Sequence, residues 1–97
     1  MYSVVKLICI DADGNKYEFY TDKHSWFVSN LDDAERFGED EQLIPLDFDD
    51  YIEAYKVHIK QALGRKGYKL RSFVLCDVNI TARKEVQVFD FSRKKMI

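Results

Sequence analysis

The chain has 97 residues, of which 46% are hydrophobic, 14% aromatic and 33% charged, with a formal net charge of −2. This balance excludes the disordered class, and the length predicts one domain, 1–97. No apolar run approaches the roughly 20 residues that span a bilayer. No basic segment followed by an apolar stretch marks a signal peptide. Cys9 and Cys76 sit inside strand-like runs and make no disulfide framework, which predicts buried, reduced thiols and a cytoplasmic protein.

Tyr2 to Ile10 is rich in Val and Ile and predicts a strand. Asp11-Ala12-Asp13-Gly14-Asn15 is dense in turn formers, and Lys16 to Tyr20 alternates as a second strand, so the two form a β-hairpin. Trp26-Phe27-Val28 adds a short third strand. Asn30 is placed to cap a short helix over Leu31 to Phe37, with Gly38 as its left-handed stop. The main helix is expected from Phe48 to Leu63, with Asp47 as cap, Gly64 as stop and Pro45 barring an earlier start. Phe48, Tyr51, Ile52, Tyr55, Ile59, Ala62 and Leu63 recur at three- and four-residue steps, and Tyr51, Ile52, Tyr55 and Ile59 are expected to pack on the sheet. A long strand lies within Tyr68 to Ile80, with Leu70, Val74, Cys76, Val78 and Ile80 on one face and Arg71, Phe73, Leu75, Asp77 and Asn79 on the other. Thr81 to Lys84 is a polar turn. Glu85 to Phe91 is the last strand, with Val86 and Val88 opposite Gln87, Phe89 and Phe91. The fold class is therefore α+β: an antiparallel sheet of four or five strands, in the order β-β-(β)-α-α-β-β, with one main helix on one face.

Chemistry-bearing motifs are sparse. Asp11-Ala12-Asp13-Gly14 after an apolar strand resembles the first motif of haloacid-dehalogenase-type phosphatases. That resemblance implies an aspartate nucleophile and a second aspartate as acid/base. The family continues with Thr or Val where this chain has Asn15, and it needs a parallel sheet and further Lys and Asp motifs. Asp11, Asp13 and Asn15 also alternate as in a calcium loop, but Lys16 stands where the loop needs glycine and Asp22 where it needs glutamate. A hairpin turn held by Asp and Asn side chains accounts for the segment. A Cys-His site would need Cys9 or Cys76 within reach of His24 or His58, and both cysteines lie inside strands rather than at their ends. No phosphate-binding glycine loop or zinc-ligand spacing occurs. The chain reads as a non-enzyme without cofactor or metal.

Charge is more informative. Residues 1–63 carry 14 acidic and 6 basic side chains, and residues 64–97 carry 3 acidic and 9 basic. Ten acids crowd between Asp32 and Glu53, with Arg36 the only base among them. Asp32, Asp33, Asp47, Asp49 and Asp50 suit helix starts. Glu39, Asp40 and Glu41 are explained less well, because they follow Gly38 in an expected loop; the set reads either as a solvated surface or as a negative field that docks onto a basic partner, in its sharpest form by mimicking phosphates. Asp32, Asp33, Glu35, Glu39, Asp40, Glu41, Asp49, Asp50 and Glu53 form this candidate surface. The alternative is a nucleic-acid contact through Arg65, Lys66, Lys69, Arg71, Arg93, Lys94 and Lys95; a sequence pI of about 5.6 weighs against it. The apolar last strand is expected to be a sheet edge that invites pairing with a second copy as a homodimer; the alternative is that Lys84 and Asp90 guard it.

Trp26-Phe27-Val28-Ser29-Asn30-Leu31-Asp32-Asp33-Ala34-Glu35-Arg36-Phe37 resembles a local pattern of small bacteriophage and mobile-element accessory proteins. The resemblance implies an aromatic strand running into a short helix, with Ala34 and Phe37 packed inward. It implies no activity, and it suggests an accessory factor that modulates a host machine by protein–protein contact.

Overall fold

A computed structural model describes residues 2–24, 26–38, 46–79 and 82–91. The elements are strand β1 (Tyr2–Ile10), strand β2 (Lys16–Thr21), strand β3 (Phe27–Val28), one 3-10 turn (Leu31–Asp33), helix α1 (Phe48–Arg65), strand β4 (Lys69–Val78) and strand β5 (Arg83–Asp90). All five strands pair antiparallel in the order β3-β2-β1-β4-β5. The α+β class, the antiparallel sheet and the single main helix are as the sequence predicts. The described residues contain no helix long and apolar enough to cross a membrane.

β1 is the central strand, and a core cluster packs against each of its faces. Val5, Leu7 and Cys9 face α1 and join Ile52, Ile59, Leu63 and Phe73 in one core; Val4 faces away and joins Tyr20, Ala34, Val74, Cys76 and Val78 in a second. The side towards α1 is the inner face of the sheet, and the opposite side is the outer face. The hairpin from β1 to β2 closes where Gly14 adopts φ 83°, a left-handed conformation that suits glycine. Asp11 organises this turn: one carboxylate oxygen accepts from the backbone amides of Asp13 and Asn15, both at 2.9 Å, and the other from the Asn15 side chain and the Tyr17 hydroxyl.

The short helix expected over Leu31 to Phe37 does not form. Only the 3-10 turn is present, and Asn30 makes no side-chain cap. The reason is tertiary. The Glu35 amide donates to Thr21 O (2.9 Å), and Phe37 exchanges two backbone bonds with Ser3 (2.8 and 2.9 Å). These bonds take the amides that a helix would use. They form because β1 outruns β2 at this end, leaving Ser3 open for the bridge to Phe37. Ala34 nevertheless packs inward as expected, on the outer core, and Phe37 lies 6.1 Å from Tyr51, ring to ring.

α1 begins as predicted, with the Asp47 side chain accepting from the Asp50 amide. It runs past Gly64, the expected stop. The chain turns at Gly67, φ 88°, where Gly67 N–H donates to Gly64 O and Tyr68 N–H to Leu63 O. This is the paired closure of a helix ending on a left-handed glycine. Phe48, Tyr51, Ile52, Ile59, Ala62 and Leu63 are buried, whereas Tyr55, expected on the sheet, is 37% exposed.

Two bulges correct the expected strand faces. Ile8 pairs with Ser72 but Cys9 with Leu70, so Arg71 is extra and Leu70 turns to the inner face with Phe73 and Leu75. Leu75 pairs with Gln87 but Cys76 with Glu85, so Val86 is extra and Glu85 turns to the outer face. β5 lies at the sheet edge, with Val86 and Val88 exposed. Pro45, Ile80 and Thr81 lie outside the described residues.

Candidate functional site

The acidic residues sit on three supports. Asp32 and Asp33 are exposed on the 3-10 turn, and Asp49, Asp50 and Glu53 are exposed on the first half of α1. Glu53 is paired with Lys56 at 3.2 Å along the helix. Glu35 is half-buried and is anchored to Thr21 by its backbone amide. Glu39, Asp40 and Glu41 lie outside the described residues.

Asp22, which the sequence reading did not include in the docking surface, joins this group. Its carboxylate accepts from the amides of His24 and Trp26, both at 2.9 Å, which holds it at the end of β2. Burial pushes the Glu35 carboxyl above its ordinary range, and the neighbouring Asp22 charge adds to that, against a smaller opposing effect of Lys23. The Tyr51 hydroxyl is pushed up to about 12, first by burial, with Glu35, Tyr55 and Asp22 contributing. It stands beside Thr21 Oγ1, close enough for the hydroxyl to oppose that rise, yet neither buried oxygen has a well-aligned hydrogen-bond partner. Tyr55 covers Tyr51 from the solvent side, ring centroids 4.9 Å apart. The fold thus gathers carboxylates from the β2 end and the following loop next to an exposed aromatic ring near the start of α1.

Glu35 makes the stability of the fold depend on pH. Its folded pKa lies above the ordinary 4.5, so the folded state holds the proton more tightly than the unfolded chain does. Stability from this group is therefore highest at low pH and is lost as pH rises from 4.5 through the folded value. Glu35→Gln should be more stable than wild type at pH 7, with the advantage vanishing below pH 4; equal melting temperatures at both pH values would refute the raised Glu35 pKa.

The basic candidates form a separate region. Arg65 ends α1, Lys66 is its C-cap, and Lys69 and Arg71 open β4; all four are exposed. Arg93, Lys94 and Lys95 lie outside the described residues.

The outer face carries a third arrangement. Lys6, a lone charge in the apolar β1, lies under the side chains of the neighbouring strands with 15% of its own side chain exposed. Its Nζ reaches Glu85 Oε2 at 3.3 Å and Glu18 Oε2 at 3.7 Å. Burial lowers its pKa, but the two carboxylates outweigh burial and leave it raised. Arg83 extends from β5 across β4 and β1, and its Nη1 donates to the Tyr20 hydroxyl on β2 at 3.2 Å. Between these groups is a cavity of about 120 Å³. Sequence reasoning missed it, although a lysine inside an otherwise apolar central strand was the available signal.

Asp11, the nucleophile in the phosphatase resemblance, spends both carboxylate oxygens on its own turn, and the strands flanking it are antiparallel. Burial pushes the Cys9 thiol up to about 12 and raises that of Cys76. Among the described residues no group of three or more His, Cys, Asp or Glu side chains is placed to hold a metal ion. Compared with known protein families, curated proteins and solved structures, the chain matches none.

Proposed function

We propose that this protein is a non-enzymatic binding module, an accessory factor of the phage type, that docks onto a basic surface of a protein partner through the carboxylates near the start of α1. The observation that carries this reading is the run of exposed carboxylates on the 3-10 turn and the first half of α1, together with Asp22 and half-buried Glu35, where burial and then the Asp22 charge oppose ionisation of Glu35. Repulsion of this kind does not help folding, whereas a cationic partner would relieve it. Exposed Asp32, Asp33, Asp49, Asp50 and Glu53 extend the same negative field, and Tyr55 offers an aromatic anchor of the type enriched at binding hot spots.

The test begins with affinity capture of the partner and continues with association rates across a salt series. Two variants suffice, Asp32→Lys/Asp33→Lys and Asp49→Lys/Glu53→Lys; both spare the Asp47 cap. Steering by charge predicts association slowed about tenfold or more in both variants, with a melting temperature close to wild type for Asp32→Lys/Asp33→Lys and a lower one for Asp49→Lys/Glu53→Lys, which loses a helix-start acid and the Lys56 pair, and wild-type association weakening as salt rises. Equal rates with no salt dependence would reject the acidic surface. A partner captured as nucleic acid, with binding lost in Lys66→Ala/Lys69→Ala, would support the basic region instead.

A further inference from the structure

We propose that the cavity on the outer face of the sheet is a binding site for a small zwitterion of the α-amino-acid class, its carboxylate on Arg83 and the Tyr20 hydroxyl and its ammonium on Glu85. This site lies on the face of the sheet away from α1 and does not depend on the docking surface.

The cavity is electrically a dipole. Lys6 is shared by two carboxylates, so Glu18, Lys6 and Glu85 together carry one net negative charge. Arg83 supplies one positive charge; among the described residues its hydrogen bond goes to a neutral phenol, which leaves most of its five N–H donors for a ligand. A simple anion would meet Arg83 but also two glutamates. A simple cation would meet the glutamates but also Lys6 and Arg83. A ligand carrying both charges satisfies both ends.

The atoms are arranged for this. Glu18 and Glu85 both contact Lys6 through Oε2, so each has a second oxygen, Oε1, that can accept from an ammonium group. Tyr20 accepts a hydrogen bond from the Arg83 guanidinium, and Val4, Leu31 and Val78 supply apolar lining of the same cavity. That apolar lining suits a short aliphatic side chain. The volume of about 120 Å³ admits a few non-hydrogen atoms and excludes a nucleotide or a peptide.

The experiment is a titration of the isotope-labelled full chain by NMR with L-alanine, propionate, ethylamine and inorganic phosphate as separate probes. L-Alanine should give saturable shifts at Tyr20, Arg83 and Glu85, with a Kd on the order of millimolar to tens of millimolar for so small a ligand. Propionate, ethylamine and phosphate should each bind at least about tenfold more weakly, since each loses one charged contact or gains a repulsion. Arg83→Met and Glu85→Gln, both on the exposed edge strand, should each weaken alanine binding by a similar factor while keeping the spectrum of the folded protein. Tyr20→Phe is a second check that removes only a hydroxyl. The proposal fails if alanine gives no saturable shift up to about 100 mM. It also fails if propionate or phosphate binds as well as alanine, or if Arg83→Met binds alanine like the wild type.

Discussion

Truncation of Phe73 to alanine should lower the unfolding free energy by about 3–5 kcal/mol. Phe73 is fully buried on β4 and pairs with Leu7 on the central strand and with Phe89 on the edge strand. Its ring lies 6.4 Å from that of Phe89 and 5.9 Å from that of Phe91, so its loss unsupports two further aromatics at the margin of the core. The site cannot easily collapse, because β1 and α1 hold it from both sides, and a residual cavity adds to the lost transfer energy. For a domain whose total stability is about 5–15 kcal/mol, this is a large share. Ile59→Ala and Ile52→Ala, on the helix side of the same core, should cost about 2–5 kcal/mol each. Val57→Ala is the control: Val57 is 61% exposed on the same helix and should change stability by no more than about 0.5 kcal/mol. Urea denaturation of the four variants checks this, and a Phe73→Ala cost below about 1 kcal/mol would contradict the packing.

The second large effect concerns Cys9. Its thiol is pushed up to about 12 by burial, with no opposing charge. Only the thiolate is nucleophilic, and at pH 8 a pKa of about 12 leaves about one thiol in ten thousand ionised, against about one in ten at the ordinary 9.0. Alkylation of Cys9 in the folded protein should therefore be slower than that of an exposed cysteine by about a thousandfold or more, since the side chain is also fully buried. The rate should climb about tenfold per pH unit. The same shift has a sign for stability. The unfolded chain releases this proton from pH 9.0 upward while the folded chain retains it, so the contribution is full below pH 9.0 and is lost as pH rises towards about 12. Cys76 is raised as well, although Lys6 and Arg83 pull in the other direction, so it should be the faster of the two. Iodoacetamide labelling read by peptide mass, with and without denaturant, decides the matter. Rapid native labelling of Cys9 would show that the strand pair opens far more easily than its burial implies.

Much of the fold is legible because it rests on local chemistry. Periodic apolar residues from Phe48 to Leu63 specify an amphipathic helix wherever the chain puts it, and Asp47 and Asp50 start it through a bond only three residues long. Asp11, Gly14 and Asn15 specify a hairpin turn in the same way. The acidity of the segment from Asp32 to Glu53 is likewise plain in composition, but composition does not say that Asp22 joins it.

What the sequence by itself determined is therefore the strands, the main helix, and the antiparallel sheet with that helix against it, because those follow from turn residues and from periods of 3.6 and 2. Tertiary structure decided the rest through backbone bonds that no local pattern encodes. Thr21 and Ser3 claim the backbone of Glu35 and Phe37, and a predicted helix becomes a single turn. One extra residue at Arg71 turns Leu70 into the core, and one at Val86 turns Glu85 onto Lys6. A strand's faces alternate only while its pairing is unbroken, so the outer-face cavity exists because the register shifts, which is a property of two strands together and of neither alone.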